Sequence, residues 1–168
     1  TRTTWRWVAV AVLLGLANLP VTTLVNAVLT LWFPDDATEP TRRVLRLIVG
    51  APEEARWVFI AGAALAAPFG EELFFRGFLQ PLGRRALPET ASLVFVGAAF
   101  AAIHFQPTAF VALLELGMLF GLLRLRSGSL WPAIIMHATH NASSLALLFL
   151  ADDPLAAIDA PPDWSLLL

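Results

Sequence analysis

Long apolar runs, separated by short polar or proline-containing stretches, divide the chain into segments of membrane-spanning length. A helix needs roughly 20 predominantly apolar residues to cross the hydrocarbon core of a bilayer. The pattern therefore predicts an all-α protein: a polytopic transmembrane helical bundle with about five spans, in a single membrane-embedded domain that covers residues 1–168. The apolar runs are residues 7–32, 57–79, 91–104, 108–123 and 130–151.

Prolines and interfacial residues predict where these spans bend and end. Pro20 predicts a kink in the first span because proline removes a backbone hydrogen bond, and 33–36 should end that span. The second span is expected to start after Pro52 and to end near Pro81, and Pro107 should stop or kink the third. Five tryptophans fall near span ends, as in an interfacial aromatic belt. They are Trp5, Trp7, Trp32, Trp57 and Trp131.

Two segments outside the spans have patterns of their own. Residues 38–50 place arginines and aliphatic residues on different helical faces, which predicts a short interfacial amphipathic helix at the membrane surface. Residues 152–168 are acidic and contain proline, and we expect a peripheral tail. The chain does not begin with Met, which indicates a trimmed or processed N-terminus, and the first run is too long for a signal-peptide core.

Composition agrees with a membrane protein and excludes several kinds of chemistry. Hydrophobic residues make up 58% of the chain, and the mean hydropathy is +0.71. The absence of cysteine excludes disulfides and thiolate chemistry. The net charge is −2 and there is no large basic cluster, so we expect no nucleic-acid partner.

Arginine supplies every basic residue, which together with much Ala and Leu hints at a bacterial source and hence at the bacterial inner membrane. The arginines of two predicted loops, at 84–85 and 124–126, lie on the same side as the N-terminus if there are five spans. The positive-inside rule then favours a cytoplasmic N-terminus, although the arginines of 42–46 oppose it.

The stretch 70–76 places three ionisable side chains inside the second apolar run: Glu71, Glu72 and Arg76. Charges at membrane depth are costly, so they usually face a protein interior or a hydrated cavity and mark a functional site. On a helix, Glu72 and Arg76 at i and i+4 can pair, while Glu71 points roughly 100° away. One carboxylate is then held by its own helix, and the other is free to act.

Further polar residues lie within or at the ends of the later spans. Phe100 and His104 have i, i+4 spacing on the third span, and His137 and Asn141 have it on the fifth. Three helices thus each offer a polar face, as a shared internal site requires. The fourth span carries Glu115, interpreted as structural or cavity-lining, and a small-x-x-x-small pair that predicts close helix packing, formed by Gly117 and Gly121.

These three sets, in this order, resemble the motifs of the CPBP intramembrane proteases, which include the type II CAAX prenyl endopeptidases and bacteriocin-processing or immunity-associated bacterial proteins. The resemblance covers the core motifs at 70–141. It implies that Glu71 is the general base that activates water, assisted by His104. It further implies that His137 and Asn141 stabilise the oxyanion, and that Glu72 and Arg76 orient the site.

Metal dependence is left open by the residues. Glu71, His104 and His137 would supply a carboxylate and two imidazoles, a ligand set that suits zinc. The zinc-protease signature His-Glu-x-x-His is absent, and Asn is a poor zinc ligand, so a metal-free, glutamate-activated water is favoured. His140 is interpreted as a bystander.

The resemblance implies an endopeptidase whose partners are membrane lipids and a peptide or lipidated-protein substrate. The alternative is a non-catalytic membrane protein that uses the same polar core as a proton relay or as a scaffold in immunity. A relay has no use for an asparagine one turn from His137, and this favours the protease. The sequence does not fix the oligomeric state.

Overall fold

The computed structural model describes residues 3–32, 39–154 and 156, and every regular element in that part of the chain is a helix, as the apolar pattern predicts. Helix α4 is continuous over its range and includes two π-helical segments. The helices are α1 (Thr3–Ala17), α2 (Leu19–Trp32), α3 (Glu39–Gly50), α4 (Glu53–Ala86), α5 (Glu89–Ala102), α6 (Phe110–Ser127) and α7 (Trp131–Phe149).

The first apolar run forms α1 and α2, which follow one another with a break at Asn18. This break lies two residues before Pro20, and the predicted kink of the helix axis there stays a prediction. Backbone bonding continues through the break, because the Asn18 N–H donates to Leu14 O at 2.9 Å and the Thr22 N–H donates to Asn18 O at 3.0 Å. The predicted end of this span, at 33–36, lies outside the described residues.

Helix α4 is 34 residues long and passes through two prolines. Its π-helical segments, Gly62–Ala66 and Leu73–Leu79, each end two residues before a proline, at Pro68 and Pro81. A π-turn widens the helix, so the proline ring is accommodated and its missing N–H is tolerated. The predicted end of the span near Pro81 is therefore wrong, since the helix continues to Ala86.

In the described part of the chain two helices are long and apolar enough to cross a membrane: Trp5–Leu29 and Glu53–Ala86. Helix α5 has 14 residues and a length of about 21 Å, less than the hydrocarbon core. Helices α6 and α7 have 18 and 19 residues, but their charged and polar side chains lower their hydropathy. By length and composition these two helices could cross a membrane, and the count of five spans stays a prediction.

Small residues let the helices approach closely. A Cβ on Gly117 of α6 would lie 2.9 Å from Gly97 Cα of α5, and a Cβ on Gly121 would lie 2.7 Å from Leu93 Cδ2. The predicted close packing at Gly117 and Gly121 is thus confirmed. Around this contact lies an apolar core of α4, α5, α6 and α7, with the α1 residue Ala11 joining it. Its larger members include Phe75, Val96, Phe100, Phe120 and Met136.

Helix α3 is the predicted amphipathic helix. Leu45 and Ile48 are buried, whereas Arg43 and Arg46 are exposed. Arg56 of α4 donates from Nη2 to Val49 O at 3.1 Å and ties the two helices together. The position of α3 at the membrane surface stays a prediction. Of the predicted peripheral tail, the structure describes only residues 152–154 and 156.

Candidate active site

The predicted pairing of Glu72 with Arg76 is confirmed at the centre of the bundle. Both side chains are fully buried, and Arg76 Nη1 donates to Glu72 Oε1 at 2.9 Å. The other terminal nitrogen, Nη2, donates to Gly117 O of α6 at 2.7 Å. The close approach at Gly117 brings that carbonyl within reach, so the guanidinium links α4 to α6.

Aromatic rings surround the Arg76 guanidinium. Its Cζ lies 4.8 Å from the ring centre of Phe100, 5.1 Å from that of Phe120 and 5.6 Å from that of Phe75. A cation over a ring face is attracted by the ring quadrupole, and more strongly where water is excluded. These rings and the Glu72 carboxylate together explain how a buried arginine is tolerated among apolar helices.

His137 is held between the two glutamates. Its Nδ1 lies 2.9 Å from Glu72 Oε1, and its Nε2 lies 3.9 Å from Glu71 Oε2. Because an ionised carboxylate only accepts, the Nδ1 atom carries the proton of that hydrogen bond. The imidazole also stacks on Phe120, with ring centres 4.5 Å apart and planes 19° apart. Glu72 and Phe120 therefore fix the ring so that Nε2 is directed towards Glu71.

Glu71 differs from Glu72 in both exposure and bonding. Its side chain is 27% exposed, and its Oε2 has no hydrogen-bond partner among the described residues. Arg76 donates to Glu72 and leaves Glu71 without a hydrogen bond from that guanidinium. The expectation that one carboxylate is held by its own helix and that the other is free agrees with this geometry.

His104 lies just beyond its helix, because α5 ends at Ala102 and a turn follows. The expectation of a span reaching His104 therefore overshoots by two residues. Its Nδ1 is 2.7 Å from Phe100 O and donates to that carbonyl, which leaves Nε2 as an acceptor. The ring centres of His104 and Phe100 are 4.7 Å apart, and those of His137 and Phe100 are 5.6 Å apart. Since Arg76 also contacts Phe100, the three motifs meet at this ring.

Asn141 connects α7 to the first π-helical segment of α4. Its Nδ2 donates to Ala63 O at 3.1 Å. In that segment the Ala67 N–H bonds to Gly62 O, so the next bond of the same kind would join position 68 to Ala63 O. Position 68 is proline and has no N–H. Asn141 thus supplies the donor that the backbone lacks.

Two polar residues of the later helices, His140 and Glu115, contact the first apolar run. His140 Nδ1 is 3.4 Å from Gly15 O, and Glu115 Oε2 accepts a hydrogen bond from Asn18 Nδ2 at 3.0 Å.

Sequence reasoning missed Gln80, whose Nε2 donates to Gly121 O at 3.1 Å. The signal was present, because Gln80 is one turn beyond Arg76 on the same face of α4.

The residues proposed as zinc ligands do not form a metal centre in this structure. Within the described ranges, no group of three or more His, Asp or Glu side chains could hold a metal ion. The Nδ1 atoms of His137 and His104 bond to Glu72 and to a backbone carbonyl, which leaves the Nε2 atom of each ring for another partner. Zinc binding at these residues stays a prediction.

The fold and the buried network define an integral membrane protein with an internal polar site. The model of the type II CAAX prenyl endopeptidase Rce1-like family matches residues 53–143, a range that begins with α4 and includes Glu71, Glu72, Arg76, His104, His137 and Asn141. Comparison with curated proteins and with solved structures gave no match. The chain belongs to the Rce1-like family, which is a family of proteases. The motif resemblance is thereby confirmed at the level of the family.

Proposed function

We propose that this protein is an intramembrane endopeptidase that hydrolyses a peptide bond of a membrane-anchored or lipid-modified substrate. The observation that carries the proposal is the 3.9 Å separation between His137 Nε2 and Glu71 Oε2. This separation is less than twice a hydrogen-bond length of about 2.8 Å, and we assign the catalytic water to a position between the two atoms. Membership of a protease family supports peptide hydrolysis.

Glu71 acts as the general base in this proposal. As the water oxygen bonds to the peptide carbonyl carbon, its proton passes to the Glu71 carboxylate, and the carbonyl electron pair moves onto oxygen. When the C–N bond breaks, the same proton passes to the departing nitrogen. A carboxylate without a hydrogen-bond partner of its own, near a fixed imidazole, suits both transfers.

His137 stabilises the oxyanion when its Nε2 is protonated. The Glu72 carboxylate accepts a hydrogen bond from Nδ1 and so fixes the orientation of the ring. Arg76 in turn holds Glu72. A donor preorganised where charge develops contributes on the order of 3 kcal/mol to transition-state stabilisation.

Asn141 and His104 complete the proposed site. The amide of Asn141 has a second hydrogen besides the one donated to Ala63 O, and we assign it to the oxyanion. His104 has Nε2 as an acceptor and assists Glu71 in holding the water.

We place the protein in the bacterial inner membrane, with the later helices completing about five spans.

Turnover of a quenched, lipidated peptide by the protein in liposomes tests this proposal. Glu71→Gln should lower the rate by at least about 100-fold, because the base is lost while the size of the side chain is kept. The matched control is Glu115→Gln, another carboxyl within the helices; it should stay within about twofold, since Gln still accepts from Asn18. Wild-type turnover by a folded Glu71→Gln protein would overturn the assignment of Glu71 as the base. No turnover by the wild-type protein would favour the non-catalytic alternative.

A further inference from the structure

A polar cavity lies where α4 and α6 end at the same side of the bundle. Its volume is about 330 Å³, and it opens to the outside. Three arginines line it and no acidic side chain does; Glu89, which lies 3.4 Å from Arg84, is not part of its wall. The lining residues are Arg76, Gln80, Pro81, Arg84, Arg124, Leu125 and Gly128.

Several buried polar atoms in this wall have no partner among the described residues. They are the Nε atoms of Arg76 and Arg124 and the Oε1 atom of Gln80. Arg76 and Gln80 are 0% and 1% exposed. Buried donors usually have an acceptor, so unpartnered N–H groups on two arginines of the cavity wall favour an anionic ligand over a neutral one.

We propose that this cavity binds a phosphate group. Guanidinium groups match the geometry and charge of phosphate oxygens, and two of the three lining arginines, Arg84 and Arg124, are exposed enough to contact a ligand. It lies near the end of Glu53–Ala86, one of the two helices long and apolar enough to cross a membrane. The end of a spanning helix is expected at the headgroup level, where lipid phosphates are abundant.

The source of the phosphate is a phospholipid headgroup or a soluble phosphate, and both present the same chemistry. Arg76 also donates to Glu72, so a ligand at its Nε would contact the guanidinium that orients His137. The binding itself does not depend on the proposed peptidase function. It is measured without any substrate, so the two proposals can fail separately.

The test is thermal unfolding of the full chain in detergent during titration with short-chain phosphatidylglycerol, with the matching diacylglycerol, and with sodium phosphate. Arg84→Gln and Arg124→Gln should each raise the apparent Kd for phosphatidylglycerol about tenfold. Both arginines are partly exposed, so these proteins should fold. The control is Arg126→Gln in the same last turn of α6, outside the cavity wall, and it should stay within about twofold.

The three ligands separate the outcomes. Binding of phosphatidylglycerol alone supports a headgroup site, whereas arginine-dependent binding of sodium phosphate as well supports a site open to soluble phosphate. Equal binding of diacylglycerol would overturn the proposal, because the acyl chains and not the phosphate would then be recognised. An equal loss in Arg126→Gln, or no binding of either phosphate compound, would overturn it too.

Discussion

The side-chain amide of Asn141 donates a hydrogen bond to the backbone carbonyl of Ala63, at 3.1 Å. The two residues lie on different helices, and the bond exists because Pro68 has no N–H for that carbonyl. An asparagine on α7 therefore compensates for a proline in α4. Asn141, for which the family resemblance implies a catalytic role, therefore also has a structural role.

This relationship predicts an interaction between two substitutions. Asn141→Ala should lower the free energy of unfolding by about 1 to 2 kcal/mol, because the Ala63 carbonyl loses its donor. In a Pro68→Ala background, position 68 regains an N–H, and the cost should fall below about 0.5 kcal/mol. SDS titration of the four proteins in bicelles measures this double-mutant cycle. An equal cost in both backgrounds would show that Pro68 has no part in the bond.

Glu71 and Glu72 should separate activity from stability. Glu72→Gln leaves the buried Arg76 without its counter-charge and should cost about 3 kcal/mol or more in unfolding free energy. Glu71→Gln should change stability by less than about 0.5 kcal/mol, since Glu71 is part-exposed and has no hydrogen bond from Arg76. Unfolding by SDS, monitored by circular dichroism, compares the two. Similar losses of unfolding free energy in the two variants would contradict the inference that Glu72 stabilises the fold and Glu71 does not.

Local spacing predicted the contacts that lie within one helix. Glu72 and Arg76 pair because residues four apart on a helix are neighbours, and they stay within reach although the helix becomes π-helical from Leu73. The family also followed from residue types in order, since each motif is short and continuous in sequence. The catalytic roles of Glu71, His104, His137 and Asn141 are still predictions, because no contact in the chain alone tests them.

Contacts between helices could not be predicted in the same way. The bond of His137 to Glu72 depends on how α7 packs against α4, and hydrophobic periodicity does not encode that register. The π-helical segments were missed for a related reason. Proline usually ends a helix, so Pro81 predicted a helix end, whereas α4 continues to Ala86. The acceptor for Arg76, a glycine carbonyl, has no side-chain signal at all.

Close packing at Gly117 should be intolerant of even one methyl group. A Cβ there would lie 2.9 Å from the Gly97 backbone, so Gly117→Ala should push α5 from α6 and lengthen the Arg76 bond to Gly117 O. We expect a loss of about 2 kcal/mol in unfolding free energy. Gly62→Ala is the matched control, because a Cβ there has no neighbour within 4 Å. Equal thermal stability of the two variants would exclude a steric role for Gly117.

The arrangement of Glu71, His104 and His137 predicts that purified protein needs no zinc for hydrolysis. The described residues hold no cluster of three ligating side chains, and the sequence lacks the His-Glu-x-x-His signature. Activity should therefore persist in 1,10-phenanthroline, with less than about 0.1 equivalent of zinc by elemental analysis. The non-chelating 1,7-phenanthroline controls for binding of the reagent itself. One equivalent of zinc that is lost in His104→Ala, together with inhibition by the chelating isomer alone, would instead establish a metal centre at these residues.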